Sequence, residues 1–217
     1  MRFVAIIPMR GGSKSIPNKN IKKFGGKPLC YWVLEAAMKS KLIDEIYVSS
    51  DSQKILNIVK KLSKKINLIS RSPELAKDDT STEDVLLDFC KKVDFKNLLT
   101  IQATSPFTTH IHLDTAIKKF NNQKLDSLFT AVRSKRFYWS DSLKPINYIP
   151  KARSMRQDFK GTLMENGSFY ITNRKTLLKE KCRLGGKIGV FEMDENHAIE
   201  IDEIEDWNLL KKRIKNN

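Results

Sequence analysis

The chain has 217 residues, enough for one sizeable α/β core and a tight fit for two. Its 40 Lys and Arg against 25 Asp and Glu leave a net charge of +15, which favours anionic partners such as nucleic acid, a nucleoside triphosphate or an acidic sugar. Three widely spaced cysteines without a CxxC pair exclude a cysteine zinc site and a disulfide framework, and no apolar run reaches the roughly 20 residues that cross a bilayer.

Phe3 to Ile7 is short, apolar and rich in β-branched residues, which predicts a buried strand. It runs into a loop in which Gly11, Gly12 and Ser13 are surrounded by Arg10, Lys14 and Lys19. Glycines let a backbone approach an anion and permit positive φ, so that successive N–H groups converge on phosphate oxygens. A loop leaving the end of a buried strand is where α/β proteins bind ligands, and Arg10 and Lys19 would add full charges there.

Helical and strand-like periodicities then alternate: Pro28 to Ser40, Glu45 to Ser49, Ser52 to Lys65, Leu98 to Gln102 and Leu113 to Asn121. This is the sequence form of repeated βαβ units and predicts a doubly wound, mainly parallel sheet. Asp51-Ser52 is a good cap for the second helix. The polar loop Arg71 to Thr82 leads into a helix containing Val85, Leu86 and Phe89, with Thr80 or Ser81 as its cap and Glu83 or Asp84 completing a capping box. A guanidinium and several hydroxyls in that loop also suit a base edge and a ribose.

Gln102-Ala103-Thr104-Ser105-Pro106 ends a buried strand in an amide and two hydroxyls, suited to a sugar acid, although Thr-Ser-Pro also reads as a plain turn or cap. After the strand-like Ser127 to Val132 the pattern breaks into an aromatic and basic stretch, as an insertion would. Gly167 to Ile171 and Lys187 to Phe191 are strand-like, and Ile204 to Ile214 is helical and carries a basic tail to Lys215. Ile199-Glu200-Ile201-Asp202 alternates apolar and acidic residues, which on a strand puts both carboxylates on one face about 7 Å apart. Such a pair suits Mg²⁺, though surface strands alternate in this way for solubility too.

In these segments the chain resembles the acylneuraminate cytidylyltransferases, closer to the animal-type catalytic domain than to the commonest bacterial branch. The resemblance rests on Ile6 to Asn20, the Arg71 loop, Gln102 to Pro106, Arg156-Gln157-Asp158 with Glu165 to Tyr170, and Glu200 to Asp202 leading to Asp206-Trp207. It implies a single nucleotide-diphospho-sugar transferase-type domain over residues 1–217 and a reaction joining CTP to a nonulosonic acid with Mg²⁺. Arg10, Lys19 and Asp202 would be catalytic, and Gly11, Gly12, Ser13, Asn20, Arg71 and Thr82 would bind the nucleotide. Gln102, Thr104, Ser105, Arg156, Gln157, Asn166 and Tyr170 would face the sugar acid. Asp202 and Glu200 would hold the metal; the family usually has a second aspartate where Glu200 stands. Glycine is usual where Ser15 stands.

The resemblance also implies a homodimer in which an arm, Arg133 to Lys160, reaches into the neighbour's site, with Phe137, Tyr138 and Trp139 at the interface. Cysteine usage and a start that leads directly into a strand predict a cytoplasmic protein without membrane contact, and Gln102 to Pro106 with Glu200 to Asp202, which a nucleic-acid-binding module leaves unexplained, predict no nucleic-acid partner. Alternatives are transfer to legionaminic, pseudaminic or 3-deoxy-octulosonic acid, or a non-catalytic nucleic-acid-binding module with strongly salt-dependent affinity.

Overall fold

The structure, a computed structural model, describes residues 2–214; Met1 and Lys215, the ends of two expectations above, lie outside the described residues. The elements run β1 (Phe3–Pro8), β2 (Lys23–Phe24), β3 (Lys27–Pro28), α1 (Leu29–Lys39), β4 (Glu45–Ser50), α2 (Gln53–Leu62), β5 (Ile66–Ser70), α3 (Thr82–Lys92), β6 (Asn97–Ile101), α4 (His110–Asn122), β7 (Ser127–Ser134), β8 (Thr162–Asn173), α5 (Arg174–Glu180), β9 (Ile188–Met193) and α6 (Ile204–Ile214). Seven strands form one sheet in the order β5-β4-β1-β6-β8-β7-β9. All pair in parallel except β8, which is antiparallel to β6 and β7, so the mainly parallel expectation holds.

The period-2 alternation of β1 explains the two layers. Ala5 and Ile7 face α1, α2 and α4, where they pack with Val33, Ile55 and Leu113. Val4 and Ile6 face α3 and α5, where they meet Leu86, Phe89 and Leu177. Caps fix where the helices begin: Ser52 accepts from Ile55 N, and Ser81 and Asp84 form the reciprocal box that the sequence left open between two pairs.

A third cluster ties the two ends of the chain together. Ile16 and Phe24, from the segment after β1, pack with Ile201, Trp207 and Leu210 at and before α6, the Trp207 ring lying edge-on to Phe24 at 5.3 Å.

Three expectations need correction. The second helix stops at Leu62, and Ile66–Ser70 forms an edge strand that the sequence reading missed. Ile199 to Asp202 is not a strand; its isoleucines are drawn into the third cluster and it gains no ladder partner beyond Ile201 N donating to Thr104 O at 2.9 Å. The arm is shorter than 133–160, because Arg133 belongs to β7, opposite Leu163 of β8, and chelates Glu192 of β9. The excursion itself leaves after Ser134 and rejoins at Thr162. Within it Phe137 is half-buried between Tyr148 and Phe159, and Tyr138 is half-buried too, so of the predicted interface aromatics Trp139 alone is exposed.

Candidate active site

In open α/β sheets ligands sit beyond the carboxyl ends of the parallel strands. There, past β1, β5 and β6, lies a cavity of about 350 Å³. Its walls carry eight of the predicted residues: Arg10, Lys19, Asn20, Arg71, Thr82, Gln102, Thr104 and Asp202. They come from four segments of the chain far apart in sequence.

The cations are held in different ways. Arg10 donates to Asp78 Oδ1 at 2.9 Å, and Lys14 Nζ lies 2.7 Å from Asp78 Oδ2, so one exposed carboxylate bridges both. Lys19, its side chain mostly buried, donates to Ile201 O at 2.9 Å and to Asp202 Oδ1 at 3.1 Å. Asn20 is buried and donates to Arg10 O at 3.0 Å, fixing the backbone that presents the guanidinium. Arg71 is 7% exposed; its Nη2 stands 3.5 Å from Asp51 Oδ1, yet neither Nε nor Nη2 has a hydrogen-bond partner. Burial lowers its pKa, opposed by Asp51. Such unpaired buried donors are exceptions to the usual pairing, and Asp51 is the acidic group beside them.

Beyond β6, Thr104 links the sheet edge to the end of the chain. Its Oγ1 donates to Glu200 Oε2 at 3.0 Å. Burial pushes the Glu200 carboxyl up to about 7, helped by Asp202 and Glu165 and opposed by Thr104 and Lys19. Gly167, at φ +63°, makes room for Glu200: a Cβ there would lie 1.9 Å from Oε1. The two acidic side chains therefore do not project as a pair. Glu200 is turned inward to Thr104, whereas Asp202 stays exposed beside Lys19. Among the described residues no group of three or more His, Cys, Asp or Glu side chains surrounds a metal position. The exposed Asp202 carboxylate alone does fit Mg²⁺, which is commonly held by one or two carboxylates and completed by substrate phosphates and water.

The remaining predicted residues are not brought into the cavity wall. Gly11 and Gly12 do not adopt positive φ. Gly11 N–H is spent on Asp51 Oδ1 at 3.0 Å, and a Cβ on Gly11 would approach Ser52 Cβ to 2.9 Å, so close packing explains this glycine. Gly12 faces open space, and Ser13 N turns back to Gly11 O at 3.2 Å. Ser105 is buried with an unpartnered hydroxyl. Asn166 spends its amide on His197 O at 2.8 Å. Tyr170 is buried, donates to Glu165 and lies under the Arg183 guanidinium, 4.8 Å from its ring centre. Arg156 and Gln157 are exposed on the arm. His110 and His112 start α4, with Thr109 N donating to His112 Nδ1, so neither stands at the cavity.

Asp51 and Asp78 are the site residues that sequence reasoning passed over. Asp51 follows directly on β4, and the rule that singled out Gln102 after β6 applies to it equally.

Comparisons with known proteins agree on the family. Residues 4–215 match the family described as Cytidylyltransferase. The N-acylneuraminate cytidylyltransferase of Oncorhynchus mykiss is 39% identical over 222 residues, covering 98% of this chain and 50% of that protein. The chain thus spans about half the length of this relative. The pseudaminic acid cytidylyltransferase of Campylobacter jejuni is 30% identical over 228 residues, covering 100% of this chain and 98% of that one. Among solved structures, CMP:2-keto-3-deoxy-manno-octonic acid synthetase complexed with CTP superposes with a TM-score of 0.75 at 18% identity, covering 100% and 99% of the two chains. That likeness supports the fold.

Proposed function

The chain belongs to the cytidylyltransferase family, and from that premise we propose that it transfers CMP from CTP to the anomeric hydroxyl of a nonulosonic acid, releasing pyrophosphate. The observation that carries this reading is the single cavity in which Arg10, Lys19, Asn20, Arg71 and Thr82 face Gln102 and Thr104. Arg10 and Lys19 hold the triphosphate and stabilise the departing pyrophosphate, while Asn20, Arg71 and Thr82 receive the nucleoside. Gln102 and Thr104 orient the acid so that its hydroxyl meets the α-phosphorus in line, and positioning and charge supply most of the acceleration. Asp202 is the residue that would hold Mg²⁺, which when bound offsets the charge developing on the leaving group.

The reading includes a homodimer. It is supported by the exposed Leu143, Ile146, Ile149 and Met155 on the arm, with Arg156 and Gln157 reaching the neighbour's cavity.

The test is pyrophosphate release from CTP, with and without Mg²⁺, across a panel of nonulosonic acids. Release that requires both Mg²⁺ and an N-acylneuraminate supports the main reading. Release with pseudaminic acid alone selects the second one, which is favoured by the relative that matches this chain over nearly the full length of both. No release with any acid refutes the assignment.

A further inference from the structure

In the sheet β4 lies between β5 and β1, and the three strands end level with one another: Met9 N donates to Ser49 O and Arg71 N to Ser50 O, each at 2.9 Å. The first residue past β4, Asp51, therefore stands between the segments that leave its two neighbours. One of its oxygens, Oδ1, meets both, accepting from Gly11 N at 3.0 Å and lying 3.5 Å from Arg71 Nη2. Arg10 and Arg71 line the cavity, whereas Asp51 stands behind them and does not.

The carboxylate is a fixed post. Ser52, next in the chain, is held on both sides, its N donating to Ser50 Oγ at 3.1 Å and its side chain capping α2 through Ile55 N. Gly11 comes so close that a Cβ there would lie 2.9 Å from Ser52 Cβ and 3.3 Å from Asp51 Oδ2. The side chains of Asp51 and Arg71 are mostly buried, unlike Asp78, whose exposed carboxylate a ligand can displace from Arg10. Charge points the same way. Burial lowers the Arg71 pKa and the nearby Arg10 adds to this, while Asp51 opposes both. A buried guanidinium beside a second cation needs a fixed counter-charge, and Asp51 supplies it.

We propose that Asp51 is a positioning residue: through one carboxylate oxygen it holds the Gly11 loop and the Arg71 guanidinium in a fixed relation, and so sets the span between the triphosphate and nucleoside halves of the CTP site. The proposal rests on the function proposed above, which gives the triphosphate to the loop and the nucleoside to Arg71. Its sign is opposite to that of charge alone. A carboxylate near a polyanion repels it, so removing the charge would by itself tighten CTP, whereas removing a post loosens it.

The experiment is a calorimetric titration of the full chain, in Mg²⁺, with CTP and with inorganic tripolyphosphate, in the parent, Asp51→Asn and Asp51→Ala, with the kinetics of pyrophosphate release alongside. Asp51→Asn keeps an oxygen for Gly11 N–H and loses the charge beside Arg71, so CTP should weaken by at least about fivefold while tripolyphosphate binds as in the parent. Asp51→Ala loses both contacts, and tripolyphosphate should weaken as well. The kinetic loss should fall on KM for CTP, with KM for the sugar acid unchanged. Thermal midpoints check folding, and should Asp51→Ala fail to fold, the Asp51→Asn arm decides alone. CTP binding that is equal or tighter in Asp51→Asn, or a matching rise in both KM values, overturns the proposal and leaves the proposed function intact. A parent that neither binds nor turns over CTP refutes that function, and the proposal falls with it.

Discussion

Glu200 offers the sharpest physical test of the site. Burial raises its carboxyl from 4.5 to about 7. A carboxyl whose pKa is higher folded than unfolded binds more protons in the native state between those two values, so its contribution to stability falls as pH rises through that window and is constant on either side. The rise corresponds to about 3 kcal/mol, which local relaxation reduces to about 2–3 kcal/mol at pH 8. Glu200→Gln keeps an oxygen for the Thr104 hydroxyl and removes the charge. The variant should therefore match the parent near pH 4.5 and be more stable by about 2–3 kcal/mol at pH 8. Urea unfolding of both proteins in EDTA at the two pH values measures this, because the difference between variant and parent cancels every other titrating group. A difference that is the same at pH 4.5 and pH 8 would show that Glu200 ionises as an ordinary surface carboxylate, and the inward geometry argued above would be wrong.

The other predictions concern neighbouring groups. Arg10→Ala should lower kcat/KM for pyrophosphate release by about 10²–10³-fold, with stability unchanged within about 0.5 kcal/mol; near-normal turnover with CTP would remove the central assignment. Asp78→Asn frees Arg10 and Lys14 from the carboxylate that bridges them, so KM for CTP at low salt should fall about two- to fivefold, and a rise in KM counts against it. Gly167→Ala forces a positive φ on a β-carbon and drives it into Glu200, costing about 2–4 kcal/mol in urea unfolding. In a Glu200→Ala background the steric part should vanish and leave about 1–2 kcal/mol from the backbone alone.

Much of this arrangement was legible because local chemistry and tertiary demand coincide. Phe3 to Pro8 is apolar on both faces because helices cover both sides of β1, and Ser81 with Asp84 caps α3 whatever the surrounding fold. The same applies to Arg10 and Gln102: each follows a buried apolar run, and both line one cavity with Asp202. Failures arose where one pattern has two physical causes. Alternating Ile and acid from Ile199 to Asp202 reads as a half-buried strand, yet the isoleucines are buried by α6 and Phe24, with no need of a sheet. Adjacent glycines read as an anion nest, yet Gly11 is small because Ser52 is close. Edge strand β5 has one strand neighbour, and its Asn67 and Ser70 left too little apolar run to separate it from the helix before it. Asp78 could not be singled out, since its significance lies in meeting Arg10 and Lys14 from a loop more than 60 residues away in sequence.

The third cluster explains why the site needs both ends of the chain. Lys19 and Asp202 are 183 residues apart, and an ion pair at 3.1 Å between a largely buried ammonium and an exposed carboxylate contributes little by itself to holding the backbone. What holds them is apolar: Ile16 and Ile201 are both fully buried, and both pack with Phe24, Trp207 and Leu210. Ile16 lies three residues before Lys19, and Ile201 immediately precedes Asp202, so burying the two isoleucines together fixes the distance between the two charged groups. Side-chain burial of this size stabilises by about 1.5–3 kcal/mol per residue, well above the worth of the exposed ion pair. The charged pair at the cavity is thus positioned by a hydrophobic contact behind it. On the function proposed above, that would let Lys19 and Asp202 exchange each other for a phosphate and a cation without loosening the fold.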